Sequence, residues 1–255
     1  MRVTQAEIYR SFLSDLGTLN RDLVKYGNQL ATGRLLDRLK DSPAGSAALV
    51  SLADQDAAID QYLSNTNAGS LVLHVADSAL NEAGNLAGTV FSKGTQAASE
   101  TLDPDARAAL AQEVRSLRDQ IVSLANSEVR GRHIFAGSQT TEAPFLLEGD
   151  SVSYRGDGTV NALQVDSGTE AQMNFAGDGV FQPLFAAIES LLAAIGEGDL
   201  AGMQAALNRF APALTGLSAA RAQVGSGLNL LESVQSRLRT RETDIAAQRS
   251  LIQDA

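Results

Sequence analysis

The chain has 255 residues, no Cys and no Trp, 44% hydrophobic and 5% aromatic residues, and a formal net charge of −10 at pH 7. Without Cys, disulfides, thiol catalysis and zinc–thiolate sites are excluded, and the acidic balance argues against nucleic acid, whose binding surfaces need clustered excess Lys and Arg. No stretch reads as an apolar membrane span of about 18 residues, so no membrane partner is expected. The start, "MRVTQAEIYRSFLSDL", lacks the basic opening and apolar run of a cleaved secretory signal. The chain is expected either to stay inside the cell or to leave it uncleaved. Its Ala, Leu, Ser and Gly richness favours long packed helices over the aromatic-filled core of a compact enzyme.

The first periodic segment carries Phe12, Leu16, Leu19, Leu23, Tyr26 and Leu30, the alternating four–three spacing of a coiled-coil seam. It stops at Thr32–Gly33, a Gly placed where helices commonly end. The next helix is expected from Ser42–Pro43, with Leu52, Ile59, Thr66, Leu73, Leu80 and Ala87 seven residues apart. Running to Phe91 it would be roughly 75 Å long at the α-helical rise. A loop is predicted near Lys93–Leu102, and a third helix from Asp103–Pro104, with Asp103 as cap and Pro104 in the first turn. From "VRGRHIFAG" onward the period changes, and alternating runs separated by Asp157–Gly158 and Ser167–Gly168 predict a small antiparallel β unit over Ile134 to Phe175. Pro183 is expected to open a helical return whose heptad runs through Met203, Leu207, Phe210, Leu217, Val224, Leu231, Leu238 and Ile245.

The fold class that follows is mainly α with a small β insert. It is expected as a long antiparallel helical bundle or coiled-coil rod carrying a compact antiparallel β unit at one end. Three parts are expected: residues 1–133 as the N-terminal rod, 134–178 as the β insert and 179–255 as the C-terminal rod.

Little chemistry is visible. The chain has two His, His74 and His133, and each reads as structural, because one imidazole and one carboxylate make a poor metal site. Asp54/Asp56 and Asp103/Asp105 fit a solvated face and a helix N-terminus. "GDG" at 156–158 is a turn with no helix and basic anchor behind it, and the "RGD" triplet at 155–157 is of a kind that arises by chance. No catalytic, cofactor or metal constellation is expected. The stretch "LATGRLLDRLKDSPAG" is different. Arg34, Arg38 and Lys40 with Asp41 interleave with Leu35, Leu36 and Leu39, either as a loop folded back on its own bundle or as a contact between subunits.

"QLATGRLLDRLKDSPAG" resembles the N-terminal signature of the bacterial flagellin family. "ANSEVRGRHIFAGSQTTEAPF" (125–145), "ARAQVGSGLNLLESVQSRL" (220–238) and "ETDIAAQRSLIQDA" (242–255) are similar to further elements of that family in the same order. The opening "MRVTQAEIY", in place of an Ile–Asn–Thr–Asn type start, and the single small β insert favour a subunit joining hook to filament over a filament flagellin. A coiled-coil binding or adhesin-like module is a further alternative, although Phe145, Tyr154 and Phe175 are explicable as the core of a small sheet.

The resemblance implies a non-enzymatic, extracellular structural subunit of the bacterial flagellum, exported by the type III route without signal cleavage. Implied partners are hook protein, a hook-associated protein, flagellin, further copies in a ring, and an export chaperone; no cofactor is implied. Ile8, Phe12, Leu16 and Leu19 would map to inner-tube packing within segment 1–40, and Arg34, Leu35, Arg38, Lys40 and Asp41 to an outward spoke touching a neighbour. Family members continue past the equivalent of "LIQDA" with a further amphipathic helix, so the chain as it stands is expected to be a monomer.

Overall fold

The computed structural model describes residues 5–33 and 43–253. Among them the order is α1 (Gln5–Thr32), α2 (Pro43–Ala97), α3 (Pro104–Ala125), β1 (Glu128–Val129), β2 (Arg132–His133), β3 (Phe145–Glu148), β4 (Ser151–Tyr154), β5 (Ala162–Asp166), β6 (Thr169–Gln172), α4 (Gly177–Glu197), α5 (Leu200–Leu207) and α6 (Phe210–Gln253). The fold is mainly α with a small antiparallel β portion. The chain divides into two compact units, Met1–Gln61 with Arg237–Ala255, and Tyr62–Ser236.

In the first unit, α1 ends as its sequence predicts. Gly33 has φ +66° and its N–H reaches the Gln29 carbonyl at 2.8 Å, the left-handed glycine that closes many helices. Leu52 and Ile59 of α2 and Leu238 and Ile245 of α6 are buried in this unit, and the Arg249 guanidinium donates to Asp56 at 2.9 Å.

In the second unit the heptads on α2 and α6 are covered as their spacing predicts. Thr66, Leu73, Leu80 and Ala87 are buried, and so are Phe210, Leu217, Val224 and Leu231. The two helices run antiparallel here. Phe91 meets Phe210 edge-on at 6.1 Å, Arg221 donates to Asp77 and Asn81, and Gln235 donates to Asn67. At Gly227 a Cβ would stand 2.9 Å from Leu73 Cδ1, so glycine sets how closely this pair approaches. The α6 heptad does not run unbroken from Met203, because the chain turns at Asn208–Arg209 between α5 and α6.

Two boundaries and one cap differ from the sequence reading. Helix α2 continues through the expected loop to Ala97. Leu191 and Leu207 press onto Gly94, where a Cβ would stand 2.7 Å and 2.9 Å from them, and Ala97 is fully buried. Tertiary packing thus overrides a locally weak helix signal. Asp103 holds the cap position of α3 without a side-chain cap hydrogen bond. Arg107 closes that turn instead, donating to the carbonyls of Ala97 at 3.0 Å and Ser99 at 3.2 Å. Pro183 lies inside α4 rather than at its start. Burial of Phe181 before it and Leu184 and Phe185 after it outweighs the one backbone donor that proline lacks.

Helix α4 also corrects the expectation that no stretch is apolar enough for a membrane span. By length and composition it is, yet ten of its residues are buried within this unit, as in the core helix of a folded domain.

The β portion begins at Glu128, before the expected Ile134, and consists of three two-stranded antiparallel ladders, β1–β2, β3–β4 and β5–β6. Ser167–Gly168 forms the turn of β5–β6, with Gly168 at φ +76°, and Gly149 at φ +67° turns β3 into β4. Asp157–Gly158 separates β4 from β5 without pairing them. Few in number, the aromatics are concentrated here. Phe181 meets Phe135 at 4.9 Å and Phe145 at 5.7 Å, and Phe145 meets Tyr154 at 5.0 Å and Phe185 at 5.3 Å. Edge-to-face and tilted pairs of this kind add to plain burial and clamp the hairpins onto α4.

Candidate assembly surface

Helix α1 carries its apolar residues on one side. At about 100° per residue, Ile8, Phe12, Leu16, Leu19, Leu23, Tyr26 and Leu30 fall within an arc of about 80°, with Glu7, Arg10, Arg21 and Lys25 on the opposite side. A stripe of this kind normally faces a core. Here every side chain from Glu7 to Ala31 is exposed except the half-buried Gln29. Ile8 is 60%, Phe12 58%, Leu16 47% and Leu19 59% accessible. Covering one such side chain is worth about 1.5–3 kcal/mol, so the stripe offers a partner on the order of 10–20 kcal/mol before the costs of association.

The four apolar residues singled out by the resemblance, Ile8, Phe12, Leu16 and Leu19, therefore share one uncovered face. Leu23, Tyr26 and Leu30 extend it. They were not among the expected contacts although the same four–three spacing continues through them. Tyr9, Leu13 and Val24, exposed on its flank, lie off the seam and gave no such signal. The expected spoke residues Arg34, Leu35, Arg38, Lys40 and Asp41 lie outside the described residues.

The other candidates have structural roles. His74 is exposed on α2, and His133 donates through Nδ1 to the Asn126 carbonyl at 2.7 Å. Among the described residues, no group of three or more His, Asp and Glu is placed to hold a metal ion. The RGD triplet does not present a free acidic group. The Asp157 carboxylate accepts from the Ser138 hydroxyl, from the Ser138 N–H at 2.7 Å and from the Thr159 N–H at 3.0 Å, while Arg155 pairs with Glu148 at 3.1 Å. The Ser138 side-chain and backbone bonds, with that from Thr159, hold the Asp157 carboxyl down from 3.8 to about 2. Asp150, between β3 and β4, is likewise lowered, chiefly by the Arg115 hydrogen bond and also by Arg118. These are fasteners of the β portion to its own unit.

A model of the family described as bacterial flagellin N-terminal helical region matches residues 5–140, just over half of the chain. Flagellar hook-associated protein 3 of Escherichia coli is 28% identical over 264 residues, an alignment covering 92% of this chain and 83% of that protein. The protein of the same name from Salmonella typhimurium is 29% identical over 72% of this chain and 58% of its own length. Among solved structures, the flagellar junction protein FlgL from Legionella pneumophila superposes with a TM-score of 0.67 at 15% identity, over 81% of this chain and 99% of that one. That likeness extends the shared fold beyond the N-terminal match. The chain belongs to the bacterial flagellin family, whose members are structural proteins of the flagellum.

Proposed function

We propose that this chain is a structural subunit of the junction between the flagellar hook and filament, with the exposed stripe of α1 as its assembly contact. The observation that carries the reading is the near full-length alignment to a hook-associated protein 3, 92% of this chain against 83% of that protein. The uncovered face of α1 supports it, because a helix with seven large apolar residues in water is stable chiefly when a partner covers them. In this reading Ile8, Phe12, Leu16 and Leu19 pack into an inner tube, and Arg34, Leu35, Arg38, Lys40 and Asp41 form a spoke against a neighbouring subunit. The partners are hook protein, another hook-associated protein, flagellin and further copies in a ring. The subunit works outside the cell, reaching its place through the flagellar export channel without signal cleavage, with a chaperone on the way. The rod–insert–rod division at residues 133/134 and 178/179 describes how it is used in the assembly.

The test is immunogold electron microscopy of intact flagella with an antibody against Gly137–Phe175. A single band where hook meets filament is expected. Label along the whole filament would instead make this chain a filament flagellin, and flagella without label would remove the flagellar role.

A further inference from the structure

The β1–β2 hairpin turns through Arg130 and Gly131, with φ of +53° and +74°. Two successive left-handed residues are the mark of the tight hairpin turn in which Asn, Asp or Gly is usual at the first position. Arg130 is the one non-glycine residue with positive φ among those described. Asn would fill the position with less strain, so the arginine has to be accounted for by its side chain.

That side chain stands at the rim of a concavity of about 280 Å³ within the second unit. Arg132 and His133 line the same rim, and Leu71, Val72 and Met173 form its apolar wall. Leu71 is 42% exposed there. Arg132 is oriented by its Nε–H, which donates to the buried Thr140 hydroxyl at 3.2 Å. His133 gives Nδ1–H to the Asn126 carbonyl, which makes Nε2 of that tautomer an acceptor. Two asparagines line the cavity, Asn161 and Asn174, and the Asn174 amide is fully engaged: its Nδ2 donates to the carbonyls of Gly137 and Thr159, and its Oδ1 accepts from the Asn161 N–H. Glu128, opposite His133 in the ladder, makes no ion pair with either arginine, and Arg130 has no hydrogen-bond or ion-pair partner among the described residues. The rim therefore presents two guanidiniums, beside the acceptors of His133 and Asn161, in a chain whose net charge is −10.

We infer that this concavity is a docking site for a segment of a partner polypeptide that carries a single carboxylate beside an aliphatic residue. One carboxylate is held in the fork of Arg130 and Arg132, and the aliphatic residue beside it lies against Leu71, Val72 and Met173. A guanidinium matches a carboxylate with two parallel N–H···O bonds, and an apolar wall beside the charges selects a side chain rather than a bare ion. The chain's overall negative field disfavours polyanions such as nucleic acid or an anionic membrane, which leaves an isolated carboxylate with an apolar neighbour as the fitting occupant.

The full chain, ¹⁵N-labelled, is titrated with acetyl-Leu-Asp-Leu-amide, with its Asn counterpart acetyl-Leu-Asn-Leu-amide, and with inorganic phosphate. Saturable shifts are expected at the amides of Arg130, Gly131 and Arg132 and at the Arg132 Nε–H for the Asp peptide, with at least fivefold weaker binding of the Asn peptide. Arg130→Asn keeps the turn, and its melting temperature is expected at or above that of the parent while its affinity for the Asp peptide falls at least fivefold. Equal binding of the two peptides, the same shifts from phosphate at the same concentration, no response to any probe, or undiminished binding by Arg130→Asn would each overturn the proposal. None of these outcomes bears on the hook–filament reading, which the immunogold experiment tests separately.

Discussion

Helices α1 and α4 make an instructive pair. Both carry large apolar side chains and are of moderate length, 28 and 21 residues. In α4, ten residues are buried, with Phe181 and Phe185 completely enclosed by the hairpins and by the helices around them. In α1, none of the described side chains is buried. Helix α4 is the more apolar of the two, but composition alone does not explain why the large apolar residues of α1 lie open. The apolar face of α4 meets complementary surface in its own chain, and that of α1 does not. A helix of the first kind stabilises a domain, and a helix of the second kind is available to something outside it.

Substitutions can break that contrast. Phe185→Ala, at the centre of the ring cluster, is expected to cost about 3–5 kcal/mol in urea unfolding of the full chain. A loss below about 1 kcal/mol would mean that α4 is no more tied to its surroundings than α1 is. Next in size is Arg118→Ala. Arg118 is 3% exposed and donates to the Asp150 carbonyl at 2.9 Å, to its carboxylate at 3.1 Å and to Asp119 at 3.0 Å. Its loss removes these charge-assisted hydrogen bonds and empties a buried position, for about 1.5–3 kcal/mol, read in the same experiment.

A smaller effect, confined to acid, belongs to Asp157. Its folded carboxyl titrates at about 2, below its ordinary 3.8. The stabilisation it brings is therefore complete above pH 4 and fades as pH falls from there through 2. Asp157→Asn should flatten the melting-temperature profile in that window and leave its shape above pH 5 unchanged, and an unaltered acid limb would remove Asp157 from the account. The smallest thermodynamic effect is expected for Leu16→Asp on α1, within about 0.5 kcal/mol of the parent. The same substitution should abolish incorporation into flagella, scored by swimming and by electron microscopy of the complemented strain. A large loss of stability would show that the α1 stripe is covered within its own chain after all.

The long-period features were legible from the sequence and the short-range ones less so. Leu52 to Ala87 and Phe210 to Ile245 repeat every seven residues, and a heptad states both helix and buried face at once. Gly33 closing α1 was legible for the same local reason. The passage of α4 through Pro183 was not, because a proline argues locally against helix while its neighbours' burial is decided by residues far away in the chain. The division of the β portion into three hairpins escaped for the same reason, since turn signals locate strands without saying which will pair. In the candidate surface, spacing grouped Ile8, Phe12, Leu16 and Leu19 on one side, yet no pattern within α1 could say whether that side was covered. Arg130 was hidden in a different way. "VRGR" marks only where the helical period ends, and the backbone angles alone reveal that an arginine shares the left-handed conformation of its glycine neighbour.

The antiparallel pairing of α2 with α6 in the second unit also sets a timetable. Asp77 meets Arg221 across 144 positions of sequence, and Asn67 meets Gln235 across 168. Each helix can wind locally in about a microsecond, but the seam between them closes only after everything from α3 to α5 has been made. Pairings of such large sequence separation are formed late and slow the folding of the chain that depends on them. A chain emerging N-terminus first therefore carries an α2 without its α6 partner, with Leu73 not yet against Gly227, until the segment from Phe210 to Gln235 has followed.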